Sequence, residues 1–454
     1  MMQAARVLTA NALLLGLFVS QASAQDALSP SEMRELAGQA ALRGQASVAF
    51  DLSEALISRD DTDLNAHLIR SRAARDLGRN EDALRHARRG WSLADDAQSQ
   101  YAAALATAQA LSSDGRRTSA QFWLRRAIEL APNETLKQRA AEDLVYVRRR
   151  NPWSTQLRFS VAPSSNINNG SRNDSSELFG LPFEFGLEGE AQALSGVEIS
   201  TGFSTRYRLT ENDRMRRDLT FGVSHRTYIL SEDAKDIAPD AQGTDFATSS
   251  AYVALGESHA LSGGTARLGW NAQLGRRWYA GDPLLDYTRI GANYRRATSK
   301  RGQVSAGISR EGQDGVGSRD DATILRASLG YGIALRNGDQ VSLSTHAVQS
   351  TSDADYLDYD QRTLSASYTM AKPVGPAKLD FGISISEKHH DASSLTPDGR
   401  DERAIEARVT AALTEMDFYG FMPTVTLNAE KTDANIDLYE TENYGIQLGV
   451  RSAF

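Results

Sequence analysis

The feature that most constrains this chain is a change of period. After Arg148-Arg149-Arg150 and the break Asn151-Pro152, apolar residues stop recurring at helical spacing and alternate with polar ones in steps of two, and they do so to the last residue. Val197, Ile199, Thr201, Phe203, Thr205, Tyr207 and Leu209 interleave with Glu198, Ser200, Gly202, Ser204, Arg206 and Arg208. The pattern returns from Leu325 to Leu335, Leu379 to Ile385, Ile405 to Leu413 and Pro423 to Ala429. These runs, 7 to 13 residues long, bracket the roughly 9 to 11 residues with which a tilted strand crosses a bilayer. From Thr155 to Phe454 there are about fourteen such runs, an even number that leaves both ends of a barrel on one side.

The connections supply an independent test, because they alternate in length. The long ones run Pro163 to Ser195, Ser231 to Asp245, Glu311 to Asp321, Ser352 to Gln361, His390 to Asp401 and Thr432 to Glu442, with a shorter Ala280 to Leu285 among them. Tight links lie between them, at Thr210 to Arg216, Ala260 to Gly264, Ser299 to Gly302, Asn337 to Asp339, Lys372 to Pro376 and Glu415 to Gly420. Short periplasmic turns and longer external loops are the rule in outer-membrane barrels, whereas a soluble β-sandwich needs no such regularity. The last strand carries Tyr444, Ile446, Leu448 and Val450 on one face and ends on Phe454. A terminal aromatic closing an alternating strand looks like the signal read by the outer-membrane barrel assembly machinery, which is an expected partner together with outer-membrane lipid and lipopolysaccharide.

The chain opens differently. Arg6, an apolar run from Ala10 to Val19 and Ala22-Ser23-Ala24 predict a signal peptide over 1–24, with the mature chain beginning near Gln25. From about Ser31 to Arg150 the sequence is rich in Ala, Leu, Arg and Glu at helical spacing. Gly44, Gly78 and Gly115 are each followed five residues later by Ala49, Ala83 and Ala120, and preceded seven residues earlier by Ala37, Ser71 and Ala108. This recurrence, about every 34 to 37 residues, is that of tetratricopeptide-type helix pairs, in which small residues sit where helices cross and Gly breaks the inter-helix turn. The third unit continues through Ala127 to Pro132, which ends its second helix. Stacked helix pairs leave a concave face that binds peptide or protein. The expected fold is therefore α+β in two domains: signal peptide 1–24, periplasmic helical repeats 25–150, and an outer-membrane antiparallel β-barrel of about fourteen strands over 151–454.

Chemistry is sparse. There is no Cys, which excludes disulfides, thiolate metal sites and an N-terminal lipidated Cys. A net charge of −8 gives no nucleic-acid signature. GxSxG, HExxH and P-loop motifs are missing, so no catalytic, cofactor or metal residue is assigned. His389-His390 lack a third partner in sequence. Asp353, Asp355, Asp358 and Asp360 lack the Gly and distal Glu of an EF-hand and read as solvated loop residues.

The junction Asn151-Pro152-Trp153, followed by a strand and then Ala162-Pro163-Ser164-Ser165-Asn166-Ile167-Asn168-Asn169, resembles the start of the barrel in the surface lipoprotein assembly modifier family, as does the order of signal peptide, short repeat domain and barrel. The resemblance implies a non-enzymatic translocator that passes a client lipoprotein or secreted protein from periplasm to cell surface. In that reading the repeats engage the client and the barrel gives passage, with Trp153, Asn166, Asn168 and Asn169 as family markers of unassigned role. Two other functions are weighed. One is a channel for polysaccharide export or solute diffusion. The other is an outer-membrane hydrolase, which would require His225, His259, His346 or His389 to meet a Ser and an acidic residue.

Overall fold

The structure, a computed structural model, describes residues 28–178, 183–396, 399–416, 418 and 420–453. The expected signal peptide and Phe454 lie outside them. The chain divides into two compact units, between Asp114 and Gly115.

The first unit is all helix: α1 (Pro30–Leu42), α2 (Ala46–Arg59), α3 (Leu64–Asp76), α4 (Asn80–Leu93) and α5 (Ala97–Ser113). Side chains cap three of the helix starts. Ser29 and Glu32 form a capping box on α1, Asp63 accepts from the Ala66 N–H at 3.0 Å, and Asp96 accepts from Gln98 and Ser99. The hairpins turn at Gly44 and Gly78, whose φ values of 75° and 76° are left-handed and cost an L-residue strain. Helices meet through alanine: Ala37, Ala49, Ala66, Ala74, Ala83 and Ala104 are fully buried. Without longer side chains at these crossings the backbones approach closely enough for Ser71 Oγ on α3 to donate to the Ala83 carbonyl on α4 at 2.8 Å. These are tetratricopeptide-like repeats.

The second unit opens with α6 (Arg117–Glu129) and α7 (Glu134–Arg150). Pro132 lies between them, and Asn133 caps α7 through the Leu136 N–H at 3.0 Å. Ala120 and Ala127 are fully buried, and Gly115, at φ 79°, precedes α6. The barrel follows: β1 (Trp153–Ser164), a loop with the short pair β2 (Ser175–Glu177) and β3 (Glu184–Gly186), then β4 (Gly196–Glu211), β5 (Met215–Leu230), a loop helix α8 (Glu232–Ile237), β6 (Thr248–Leu261), β7 (Ala266–Tyr279), β8 (Asp282–Ala297), β9 (Gly302–Gly315), β10 (Ala322–Ala334), β11 (Gln340–Thr351), β12 (Tyr359–Thr369), β13 (Ala377–His390), β14 (Arg400–Leu413), β15 (Phe421–Ala434) and β16 (Thr441–Ala453).

From β4 onward each barrel strand pairs antiparallel with its successor; β1 pairs with β4 on one side and β16 on the other, which closes a barrel of fourteen strands. Long loops gather at one end, and the short turns gather at the end where the chain enters and leaves. The expected connection Ala280 to Leu285 contracts to the two-residue turn Ala280-Gly281, with φ 51° and 90°, because both residues adopt the left-handed backbone that tight hairpins require. Pairing register puts Leu329, Thr345, Leu364, Ile385, Ile405 and their like on one face. Leu329 is 62% exposed and Leu364 60%, which no water-facing sheet tolerates as a continuous belt. The outer face of β10 stays apolar from Leu325 to Ile333, about 27 Å of strand and roughly 20 Å of membrane normal at a tilt of about 40°. The barrel is transmembrane, the architecture of the bacterial outer membrane.

Candidate functional site

The face opposite this belt lines the lumen. Fourteen strands about 4.8 Å apart and tilted about 40° enclose roughly 28 Å between backbones. The lumen is therefore wide enough to leave a passage between side chains, as eight-stranded barrels are not.

Its lining is uneven. Cross-strand register places Arg158 of β1, Arg206, Arg208 and Glu198 of β4, Arg216, Arg226 and Asp218 of β5, Arg267 and Arg277 of β7, Arg289 and Arg295 of β8, Glu311 of β9 and Arg326 of β10 on this face. Some guanidiniums are matched: Arg216 Nε lies 2.7 Å from Asp218, Arg208 2.6 Å from Glu211, and Arg226 3.4 Å from Glu198. Around the rest of the lumen hydroxyls dominate. Ser342, Ser344, Ser365, Ser367 and Ser384 line a hollow of about 270 Å³ whose charged members are Asp380, Glu406 and Arg408. Thr410 and Thr426 bridge neighbouring strands at 3.1 Å, and Gln447 donates to Ser160 at 2.8 Å.

The most tightly held group of the lumen is Glu311. Its side chain is fully buried, ion-paired to Arg289, to Arg326 at 3.2 Å and to Arg277 at 3.7 Å, and it accepts from Gln313 Nε2 at 2.6 Å. Tyr287, also buried, lies under the guanidiniums of Arg277 and Arg289. One carboxylate against three guanidiniums leaves the cluster cationic.

At the long-loop end the described residues of the first loop are held by side-chain contacts. Asn166 is buried and clasps Gly170 from both sides, donating to its carbonyl at 2.9 Å and accepting from its N–H at 3.1 Å. Asn168 donates to the carbonyls of Glu190 and Gln192 and accepts from the Leu194 N–H at 2.9 Å. Asn169 takes φ 55° in the bend between them, and a Cβ on Gly170 would lie 2.1 Å from the Gln192 carbonyl. Ile167 and Leu194 thereby reach an apolar cluster with Leu230, Ala234, Ala238 and Phe246. Arg172 ties the same loop to Glu440 at 2.6 Å, Glu442 at 2.9 Å and Asp433 at 3.3 Å, and the hydrogen bond to Glu440 pushes its pKa up. Burial works against the charge of Glu440, but hydrogen bonds from Asn173 and Arg172 outweigh it and hold the carboxyl below its usual range. At the short-turn end Asp339 is held low by the Ala371 N–H at 2.8 Å and the Tyr368 hydroxyl.

Trp153 packs against Tyr207 with centroids 4.6 Å apart and rings tilted by 52°, an aromatic pair at the short-turn end, and Asn151 beside it donates to Thr118 Oγ1 at 3.0 Å and accepts from the Trp153 N–H. Tyr444, Ile446 and Leu448 lie on the lipid face of β16, opposite Ala429, Leu427 and Val425 of β15, and Val450 faces Phe159 of β1. Of the four histidines, His225 bonds Ser249 at 2.8 Å, His259 bonds Glu257 at 2.7 Å, His389 bonds Asp401 at 2.7 Å, and His346 is exposed on the lumen face. None has both a serine and a carboxylate among its described partners. His390 is buried against Tyr359 and meets the Asp355 carbonyl at 3.1 Å.

In the first unit His67 and His86 meet through their Nδ1 atoms at 2.9 Å, with rings stacked 5.2 Å apart. Burial, then the neighbouring His67 and Arg70, pull the His86 pKa down to about 4.

No protein-family model and no curated protein matches the chain. Solved structures resemble its two parts separately. The type III secretion translocator chaperone SycD of Yersinia enterocolitica is 19% identical over 27% of this chain and 92% of its own, with a TM-score of 0.24. The COG4313 outer membrane channel of Pseudomonas putida F1 is 10% identical over 67% of this chain and 96% of its own, with a TM-score of 0.35. A bacterial polysaccharide outer membrane secretin is 12% identical over 66% of this chain and 98% of its own, also at 0.35. At these scores none of them carries a function to this chain.

Proposed function

We propose that this protein is an outer-membrane translocator: repeats on the periplasmic side engage a client lipoprotein or secreted protein, and the barrel gives it passage to the cell surface, as in the surface lipoprotein assembly modifier family that its junction and domain order resemble. The observation that supports this most is the pairing, in one chain, of peptide-binding repeat architecture with a closed barrel whose lumen is mainly polar. A diffusion pore needs no repeats, and a chaperone needs no barrel. Connectivity adds direction, since α7 runs straight into β1 at the short-turn end. That end faces the periplasm if the long loops are external.

Width decides the client's form. Arginine and glutamate side chains reaching about 6 Å inward from a cylinder roughly 28 Å across leave a passage of roughly 15 Å. An extended chain fits, and a helix of about 10 to 12 Å fits tightly. A folded domain does not, so the client passes unfolded and folds outside. Deleting the gene and mapping which proteins external protease can reach on intact cells tests the reading. Selective loss of one or a few surface proteins is expected, and unchanged protein exposure with altered polysaccharide or solute uptake would replace it with the channel function.

A further inference from the structure

From the charge of the lumen wall we infer that the barrel is an anion-selective conduit, and that its client enters as an extended acidic polypeptide segment. The inference rests on the translocator reading and adds the chemistry of what is carried.

The chain as a whole is acidic, at −8, so an excess of cations inside is not a by-product of composition. Along the arc from β4 to β10 arginine recurs at every level of the barrel: Arg206 and Arg295 towards the short-turn end, Arg226 and Arg289 towards the long loops. The carboxylates on that arc are fewer, and each already serves an arginine. Arg158, Arg267 and Arg295 are the informative ones. Among the described residues none of the three has a carboxylate within ion-pair distance; Arg158 bonds the neutral Gln156 and Arg267 the neutral Ser258. Unmatched guanidiniums facing a water-filled lumen need no partner for folding, and they present donors that suit carboxylates. The hydroxyl-lined wall beyond that arc carries no comparable cation excess, with Asp380 and Glu406 beside Arg408 among its serines. A row of one sign in a low-dielectric cylinder concentrates mobile ions of the other. Polypeptide is favoured over an acidic polysaccharide because the same chain carries helical repeats, whose concave faces bind peptide.

The test is electrical and uses the full-length protein in planar bilayers. Under a KCl gradient the reversal potential should report chloride preferred over potassium, and poly-glutamate added to the repeat-domain side should block current while poly-lysine does not. The variant R158S/R267S/R295S removes charge without orphaning any carboxylate. At roughly twofold per guanidinium acting over about 8 Å in water, it should weaken poly-glutamate block about tenfold and lower the chloride preference. A potassium-selective wild-type pore, or block by poly-lysine, overturns the inference with no variant needed. Block by poly-galacturonate and not by poly-glutamate overturns the polypeptide assignment. Any of these results can stand beside gene-dependent surface display of a protein, in which case the translocator reading survives and this inference alone fails.

Discussion

Replacing Glu311 by Gln keeps the shape of the side chain and its contact with Gln313, and removes the one negative charge that Arg277, Arg289 and Arg326 share. Breaking a buried ion pair from one side costs about 3 to 5 kcal/mol, because the remaining charge stays buried and unpaired. Here the carboxylate is fully buried but the arginines are 27% to 37% exposed, so water takes up part of the loss and about 2 to 3 kcal/mol is expected. Urea unfolding of the barrel in lipid vesicles, followed by tryptophan fluorescence, measures it. The double variant E311Q/R289Q should recover about 1 kcal/mol, since it relieves the repulsion among the three guanidiniums. A loss below about 0.5 kcal/mol in E311Q would refute the reasoning, by showing that the guanidiniums are solvated independently of Glu311.

Three further outcomes are expected. Gly78→Ala places Cβ in open space but holds Ala at φ 76°, so the helical unit should lose about 1 kcal/mol in thermal melts followed by circular dichroism, from backbone strain alone. Ala83→Leu, by contrast, forces a side chain into a fully buried crossing and should cost about 1 to 3 kcal/mol in the same melts. His86 has a folded pKa of about 4 against an ordinary value near 6.5, so the unfolded chain binds the proton first: its contribution is complete above about pH 6.5 and is lost as pH falls towards 4, amounting to about 1 to 3 kcal/mol after screening. His86→Gln should flatten that part of the pH–stability curve of the helical unit.

Much of this architecture was legible in the residues, for reasons that can be named. Two-residue alternation marks about fourteen barrel strands because lumen and lipid are different solvents, and few soluble strands need a run as long as Val197 to Leu209. Glycine spacing gave the helix pairs because the turns at Gly44 and Gly78 need a left-handed backbone. The Ala280-Gly281 turn is shorter than its sequence suggests, since Asp282 and Pro283 look like loop residues and yet open β8. Of the family markers, Asn166, Asn168 and Asn169 turn out to shape the first long loop, through backbone contacts reaching as far as Leu194 that sequence spacing does not show. The arginine wall has a sequence signal as well: sorting each strand into two faces puts Arg206, Arg226, Arg289 and Arg326 on the same side. Glu311 was less accessible, because it seemed to open a loop, and its three arginine partners come from β7, β8 and β10.

The central claim, passage of a client through this barrel, is tested most directly by surface-accessibility proteomics on intact cells with and without the gene. The account predicts that one or a few proteins disappear from the protease-accessible set and accumulate in the periplasm, and that the restored gene returns them. An unchanged set of surface proteins would contradict it.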